Sequence, residues 1–233
     1  MKYLAVTAVM GVGVFFLCSC AAIGNVKANP NMVADMNPIS VGTAEAELDK
    51  MFSSKLIKAE IEAIFYPRLN SVALKFRHQG VTYRQFWDLA ARMNFITALE
   101  RYKSDYADKN LDTKYQKTRA IYGKNKGRVE WETFKFSRTH VAFPVYQIGY
   151  RFRENKPFFV ALMLSAREET NSSDAGTPMN SQQISMYLTR AQADELAKLF
   201  EQSYLLGLIK PAQDEENAAG QDSGTQYAEY EEW

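Results

Sequence analysis

Residues 157–167, PFFVALMLSAR, would be apolar on both faces of an extended chain. Phe158, Val160, Leu162 and Leu164 fall on one side, and Phe159, Ala161 and Met163 on the other. Successive side chains of a strand point to opposite faces, so such a run reads as a central strand covered on both sides. The fold must therefore supply a sheet and something to lay against each of its faces.

Five further segments read as strands. Residues 59–66 alternate Ile61, Ala63 and Phe65 with Glu60 and Glu62, and residues 71–78 alternate Val72, Leu74 and Phe76 with Lys75 and Arg77. Alternation of this length marks a half-buried strand, and the turn Pro67–Asn70 between the two predicts a hairpin. Residues 128–136 carry Val129, Trp131 and Phe134. Residues 142–153 place Tyr146, Ile148, Tyr150 and Phe152 on one face and Gln147, Arg151 and Arg153 on the other. Pro144 lacks a backbone donor and belongs at that strand's start or on an edge. Ile184, Met186 and Leu188 form the last strand.

Helical signals separate these strands. Thr43–Leu56 spaces Leu48, Phe52 and Leu56 at four-residue steps, which suggests a short helix. Thr82 with Gln85 has the spacing of a capping box. It predicts a helix running to about Asp105, with Phe86, Leu89, Ala90, Met93, Ile96 and Leu99 as its apolar stripe. Trp87, Phe95 and Tyr102 widen that stripe. Thr189 with Gln192 repeats the box ahead of a closing helix over 190–207, with Gly207 and Pro211 as its stop. Residues 106–127 read as a polar, basic surface loop.

The expected fold class is therefore α+β. It is a single domain over 43–210, a mainly antiparallel curved sheet of about six strands with two helices on one face, in the order ββα-ββββα. The element order over residues 128–207 resembles the ββββα units of the PUR and Whirly single-stranded nucleic-acid binders. That resemblance implies a module for nucleic acids or other polyanions.

The start of the chain concerns location. Met1-Lys2 precedes an apolar run from Leu4 to Leu17, and Leu17-Cys18-Ser19-Cys20 closes it. A short basic start, an apolar stretch and a small-residue exit read as a secretory signal. The exit resembles the bacterial lipobox, with Leu17 at −3, Cys18 and Ser19 before the cut, and Cys20 after it. The resemblance implies cleavage before Cys20 and acylation of its thiol. A plain cleaved signal and an uncleaved membrane helix are the alternatives, and all three put the body outside the cytoplasm. Ala21 and Ala22 resemble an outer-membrane sorting signal, against the periplasmic face of the inner membrane. The expected organisation is a signal over 1–19, a lipidated tether over 20–42, the domain, and an acidic disordered tail over 211–233. Cys18 and Cys20 are the only cysteines, so the body has no disulfide and no cysteine metal site.

The formal net charge of +1 conceals an uneven distribution. Residues 211–233 carry seven acids and no Lys or Arg, whereas residues 103–156 carry 13 Lys or Arg against six acids. A basic middle of this kind can attract anions. Lys124, Lys126, Arg128, Arg151 and Arg153 are the candidate residues for an anionic ligand. An exported body makes a nucleic acid an improbable one, which leaves an anionic envelope component or a protein.

The search for chemistry returns little. His78 and His140 stand apart in sequence, the first read as a structural residue on a strand and the second as a surface residue in a connector. There is no H-x-x-x-H, no G-x-S-x-G and no S-x-x-K. Glu60 with Glu62, and Glu130 with Glu132, are paired carboxylates whose ordinary explanation is the polar face of a strand. Trp87, Trp131 and the row Tyr146, Tyr150 and Phe152 read as core. No catalytic set, metal site or cofactor is predicted. The leading expectation is a lipid-anchored, extracytoplasmic binding or envelope-structural protein; a polyanion binder and an exported hydrolase around His78 or His140 are its rivals.

Overall fold

The computed structural model describes residues 31–50, 55–115, 118–133, 138–169 and 177–215. Leu17, Cys18, Ser19 and Cys20, the tether up to residue 30 and the tail from residue 216 lie outside the described residues. The chain order is β1 (Ile39–Asp49), β2 (Leu56–Tyr66), β3 (Ser71–His78), β4 (Val81–Asp88), α1 (Leu89–Ala107), β5 (Ala120–Lys126), β6 (Arg128–Glu132), β7 (His140–Ala142), β8 (Val145–Arg153), β9 (Lys156–Met163), β10 (Ile184–Leu188), α2 (Arg190–Phe200) and α3 (Gln202–Gly207).

All ten strands belong to one sheet, in the order β5-β8-β9-β10-β1-β2-β3-β4-β6-β7, with every pairing antiparallel. The shape follows from its two ends. Residues 120–132 form one extended run broken at Gly127, and residues 140–153 form another broken at Phe143-Pro144. The two runs pair along their length, from Ala120↔Tyr150 to Trp131↔His140. One half of this hairpin is bonded to β9 and the other half to β4. A single hairpin thus supplies both ends of the sheet, which must curl into a half-barrel until those ends meet at Gly127. There the Gly127 N–H donates to the Pro144 carbonyl at 3.0 Å. A Cβ on residue 127 would stand 2.2 Å from Cε2 of Tyr146, so only glycine lets that ring cross the bend.

The hollow of the half-barrel is filled by α1 and α2. Trp87 of β4 stacks on Tyr146 of β8 with centroids 4.7 Å apart, and Phe95 of α1 sets its edge against Phe159 and Phe200 at 5.2 and 5.1 Å. Tyr102 continues the column against Phe159 at 5.5 Å and donates to the Pro157 carbonyl. Aromatic pairs in such tilted and edge-on arrangements add to the burial of their large apolar area. Arg92 is also fully buried. Its Nη1 donates to the Phe200 carbonyl at 2.8 Å, and its Nη2 to Asn70 and to Oε1 of Gln202. This one guanidinium ties α1, the β2–β3 turn and the break between α2 and α3. Burial pulls it down to about 10, with Asp88 opposing.

The fold class differs from the expectation. The described residues are mostly sheet, with ten strands and three named helices rather than about six strands and two helices. Three strands were hidden. Residues 39–49 form β1, not a tether end and a helix; between the inward Val41 and Leu48 the inward positions are the small Ala44 and Ala46, which give a weak apolar rhythm. Residues 81–88 form β4 with Tyr83, Gln85 and Trp87 inward, so the polar Gln85 masks the alternation. Residues 120–126 form β5, an edge strand whose two lysines and glycine disguise it as a loop. The expected strand 142–153 is divided into β7 and β8 by Phe143-Pro144.

The helices shift accordingly. Asp88, not Thr82, caps α1, accepting from the Ala91 N–H at 2.7 Å. Its buried stripe is Ala91, Arg92, Phe95, Ala98, Leu99 and Tyr102, while Leu89 and Met93 are exposed. The Thr189–Gln192 capping box is formed as expected. The closing helix is interrupted at Glu201, whose backbone is extended, and residues 209–215 are helical again beyond Gly207. The ββββα order over 128–207 does not make a unit of its own, because β6 pairs with β4 and β7, whereas β8, β9 and β10 stand at the other side of the sheet.

Candidate functional site

With the hollow filled by side chains, a ligand meets this body at its ends or its outer face. One end is marked by the convergence of chain reversals: the β2–β3 turn, the entry to α1, the bend at Gly127 and Phe143-Pro144. Between them opens a cavity of about 500 Å³ lined by Leu69, Ser71, Phe86, Asp88, Lys126, Gly127, Arg128 and Phe143.

Local chemistry positions each wall. Asn70 takes a positive φ of 46°, a conformation Asn tolerates, and closes the turn with Leu69 left outside at 42% exposure. Phe86 points to the outer face of β4, between Tyr66 at 5.4 Å and the Arg128 guanidinium at 5.2 Å from its centroid. Arg128 is held by Glu130 at 2.6 Å, and its buried Nε has no acceptor among the described residues. Lys126 stands exposed on the outer face of β5. Asp88 is engaged in capping α1. Phe143, 53% exposed, forms the outer lip. The floor is apolar and the polar edge is mixed, with Lys126 and Arg128 beside Asp88 and Glu130.

The five predicted basic residues do not gather into one surface. Lys126 and Arg128 meet at this cavity. Lys126 pairs with Val145 at the start of β8, and Arg151 lies six residues further along that strand. Strand rise puts them about 20 Å apart. Arg151 donates to the Tyr187 hydroxyl at 3.1 Å, and the Arg153 guanidinium lies 5.3 Å from that ring's centroid. Lys124 stands exposed between the two groups on β5. Near Arg153 a second cavity of about 380 Å³ interleaves Lys55, Arg153 and Lys156 with Glu47 and Glu154, which leaves little unbalanced charge.

The histidines also lie apart. His78 is buried at the end of β3, where burial lowers it and Asp49 opposes, and its Nε2 meets Nε2 of Gln79 at 3.0 Å. His140 is buried rather than on the surface. Its Nδ1 lies 3.0 Å from Glu168 and its ring stacks on Trp131 at 5.2 Å. Burial works to raise the Glu168 carboxyl. The Met179 amide, His140 and Arg138 outweigh it and hold Glu168 below the ordinary carboxylate range. Neither histidine lines the cavities above. Glu130 and Glu132 flank Arg84 on the outer face at 3.0 and 2.8 Å, while Glu62 pairs with Lys75 and Glu60 is exposed. Trp87, Trp131, Tyr146, Tyr150 and Phe152 are core, as read from their alternation. Among the described residues no group of three or more His, Cys, Asp or Glu is placed to hold a metal ion, and no helix is long and apolar enough to cross a membrane.

The sequence reading missed Leu69 and Phe143, the two exposed apolar walls. The signal was present: each is a large apolar residue beside a proline-containing reversal, where polar side chains are the rule.

A family model described as "Uncharacterised Treponema protein" matches residues 38–207. The chain belongs to that family. The matched stretch runs from the start of β1 to the last residue of α3, so it includes both ends of the sheet and every wall of the cavity. No curated protein and no solved structure matches the chain.

Proposed function

We propose that this is a lipid-anchored, extracytoplasmic protein, tethered through an acylated Cys20, that works by binding or by organising the envelope rather than by bond chemistry. The observation that carries this reading is the Leu17-Cys18-Ser19-Cys20 exit, whose Cys20 stands only thirteen positions ahead of Val33, the first of the described residues packed on the core. A short spacer of this kind holds a compact body close to its anchor. The filled hollow adds support, because it directs ligand contact to the surface. The partner class is a protein or an anionic envelope component. The split of the basic residues into two groups about 20 Å apart tells against an extended polyanion track.

The test is metabolic labelling with a radioactive fatty acid in a bacterial host expressing the full chain. Label enters the protein and the protein fractionates with membranes, and Cys20→Ala abolishes both. Label-free protein, or a Cys20→Ala variant indistinguishable from the parent, would end this reading.

A further inference from the structure

We propose that the end of the half-barrel bearing the cavity lies flat against the lipid surface, with Leu69, Leu89 and Phe143 at headgroup depth. This rests on the acylation of Cys20 proposed above and adds the orientation and the contact surface.

The chain's exit decides which end faces the bilayer. The Val33 N–H donates to the Pro67 carbonyl at 3.0 Å, and Asp35 pairs with Arg68 at 2.6 Å. Residues 33–35 are therefore fastened to the β2–β3 turn, and β1 departs from that same end. The chain leading back to Cys20 leaves beside Leu69. Thirteen residues extend to at most about 43 Å, whereas the nine residues of β8 alone carry the sheet about 30 Å away from this end. The far end could touch the bilayer only by inverting the body on an almost fully extended tether.

The side chains at this end match that placement. Leu69 is 42% exposed, Leu89 40%, Phe143 53% and Met32 40%. Single exposed apolar residues are ordinary, but four that share the tips of converging reversals make a patch. Leu69 and Phe143 sit at reversals, where a polar residue is the rule, while Leu89 opens α1 and Met32 precedes the bonded Val33. Lys126 and Arg128 border the patch, with Arg68 beside it. Arg68 and Arg128 are balanced by Asp35 and Glu130, and Asp88 on the same rim offsets Lys126, so this end is close to neutral; among the described residues Arg128 Nε has no acceptor. Apolar and aromatic tips beside long basic side chains and their paired acids are what the boundary between headgroups and acyl chains accommodates.

The test uses the full acylated protein in vesicles of neutral and anionic phospholipid. With Cys18 removed and Cys20 acylated, an introduced cysteine is the single free thiol. Leu69→Cys, Phe143→Cys and, at the opposite end, Lys156→Cys are each labelled with a polarity-sensitive fluorophore and exposed to a lipid-borne quencher. The expected result is several-fold stronger quenching and a blue shift at 69 and 143 relative to 156, reduced by Lys126→Glu. If the protein floats with the vesicles but all three labels stay equally wet, the docking proposal is wrong and the anchor stands. If the protein carries no acyl group and does not float, the anchor is wrong and the docking falls with it. Stronger quenching at 156 than at 69 or 143 would reverse the orientation and overturn the proposal.

Discussion

Strand β4 meets two different environments one residue apart. Inward, Tyr83 and Trp87 are 1% exposed; Trp87 lies among rings contributed by α1, α2 and β8, and Tyr83 stacks on Phe76 of β3. Outward, Arg84 holds Glu130 and Glu132 in reach of water, with 29% of its side chain exposed. The contrast continues onto β3: the inner face is joined by packed aromatic groups and one buried cation, the outer face by ion pairs such as Lys75–Glu62, whereas on β9 and β10 the outer face is apolar, with Val160, Leu162 and Tyr187 buried. Water decides the relative strengths. A buried ring has no alternative partner once removed, whereas an exposed ion pair exchanges for hydration at little net cost.

Replacing residues on each face measures that difference. The largest effect should come from Trp87→Ala, which empties the centre of the aromatic column and should cost about 3–5 kcal/mol in urea unfolding. Arg92→Leu comes next. It removes the charge but leaves the Phe200 and Asn70 carbonyls and the Gln202 amide without their donor, at about 3 kcal/mol. Arg92→Lys should recover only part of this, because an ammonium cannot reproduce the planar fork. An Arg92→Leu variant as stable as the parent would show that the buried cation is dispensable to the inner face.

Glu168 probes the border between the two regimes, as a carboxylate inside the fold. Its folded pKa lies below the ordinary glutamate value of 4.5, so its contribution is present at neutral pH and is lost as pH falls through the folded value. Glu168→Gln should therefore be less stable than the parent near neutrality, and the gap should close on acidification below 4.5. A gap independent of pH in thermal melts would mean that charge is not what Glu168 contributes. The smallest effect is expected from Arg84→Gln, roughly 0.2–1 kcal/mol and shrinking in high salt. A loss as large as that of Trp87→Ala would erase the distinction between the faces.

What the sequence disclosed depended on whether burial and alternation coincided. β9 was legible because both of its faces are apolar, and Val160 and Leu162 on one side and Phe159 and Ala161 on the other are indeed buried. β4 was not, although Thr82 and Gln85 carry the same Thr-x-x-Gln spacing as Thr189 and Gln192. At Thr189 the next inward position falls on Ala193 and the chain has left the sheet. At Thr82 the inward positions Tyr83, Gln85 and Trp87 match Phe76, Leu74 and Val72 across β3, and pairing along a whole strand outweighs one cap. The curl was illegible for another reason: it arises from one hairpin bonding to two distant strands, which no local window contains. The rim cavity was half legible. Lys126 and Arg128 were singled out by charge, but which of five basic residues would meet depended on that curl. The buried state of His140 depended on Glu168, 28 residues away.

A sheet of ten strands ordinarily presents two open borders to its surroundings, each a template on which another molecule could add itself. Here both borders belong to the one long hairpin and neither is inviting. β7 has three residues, and its outer side is taken up by the bridge from Ala142 to Glu168 and the Glu169 N–H bonded to Val141. β5 carries an irregular register beside Gly123 and two outward lysines. Molecules of this kind can therefore be crowded side by side without one growing onto the next.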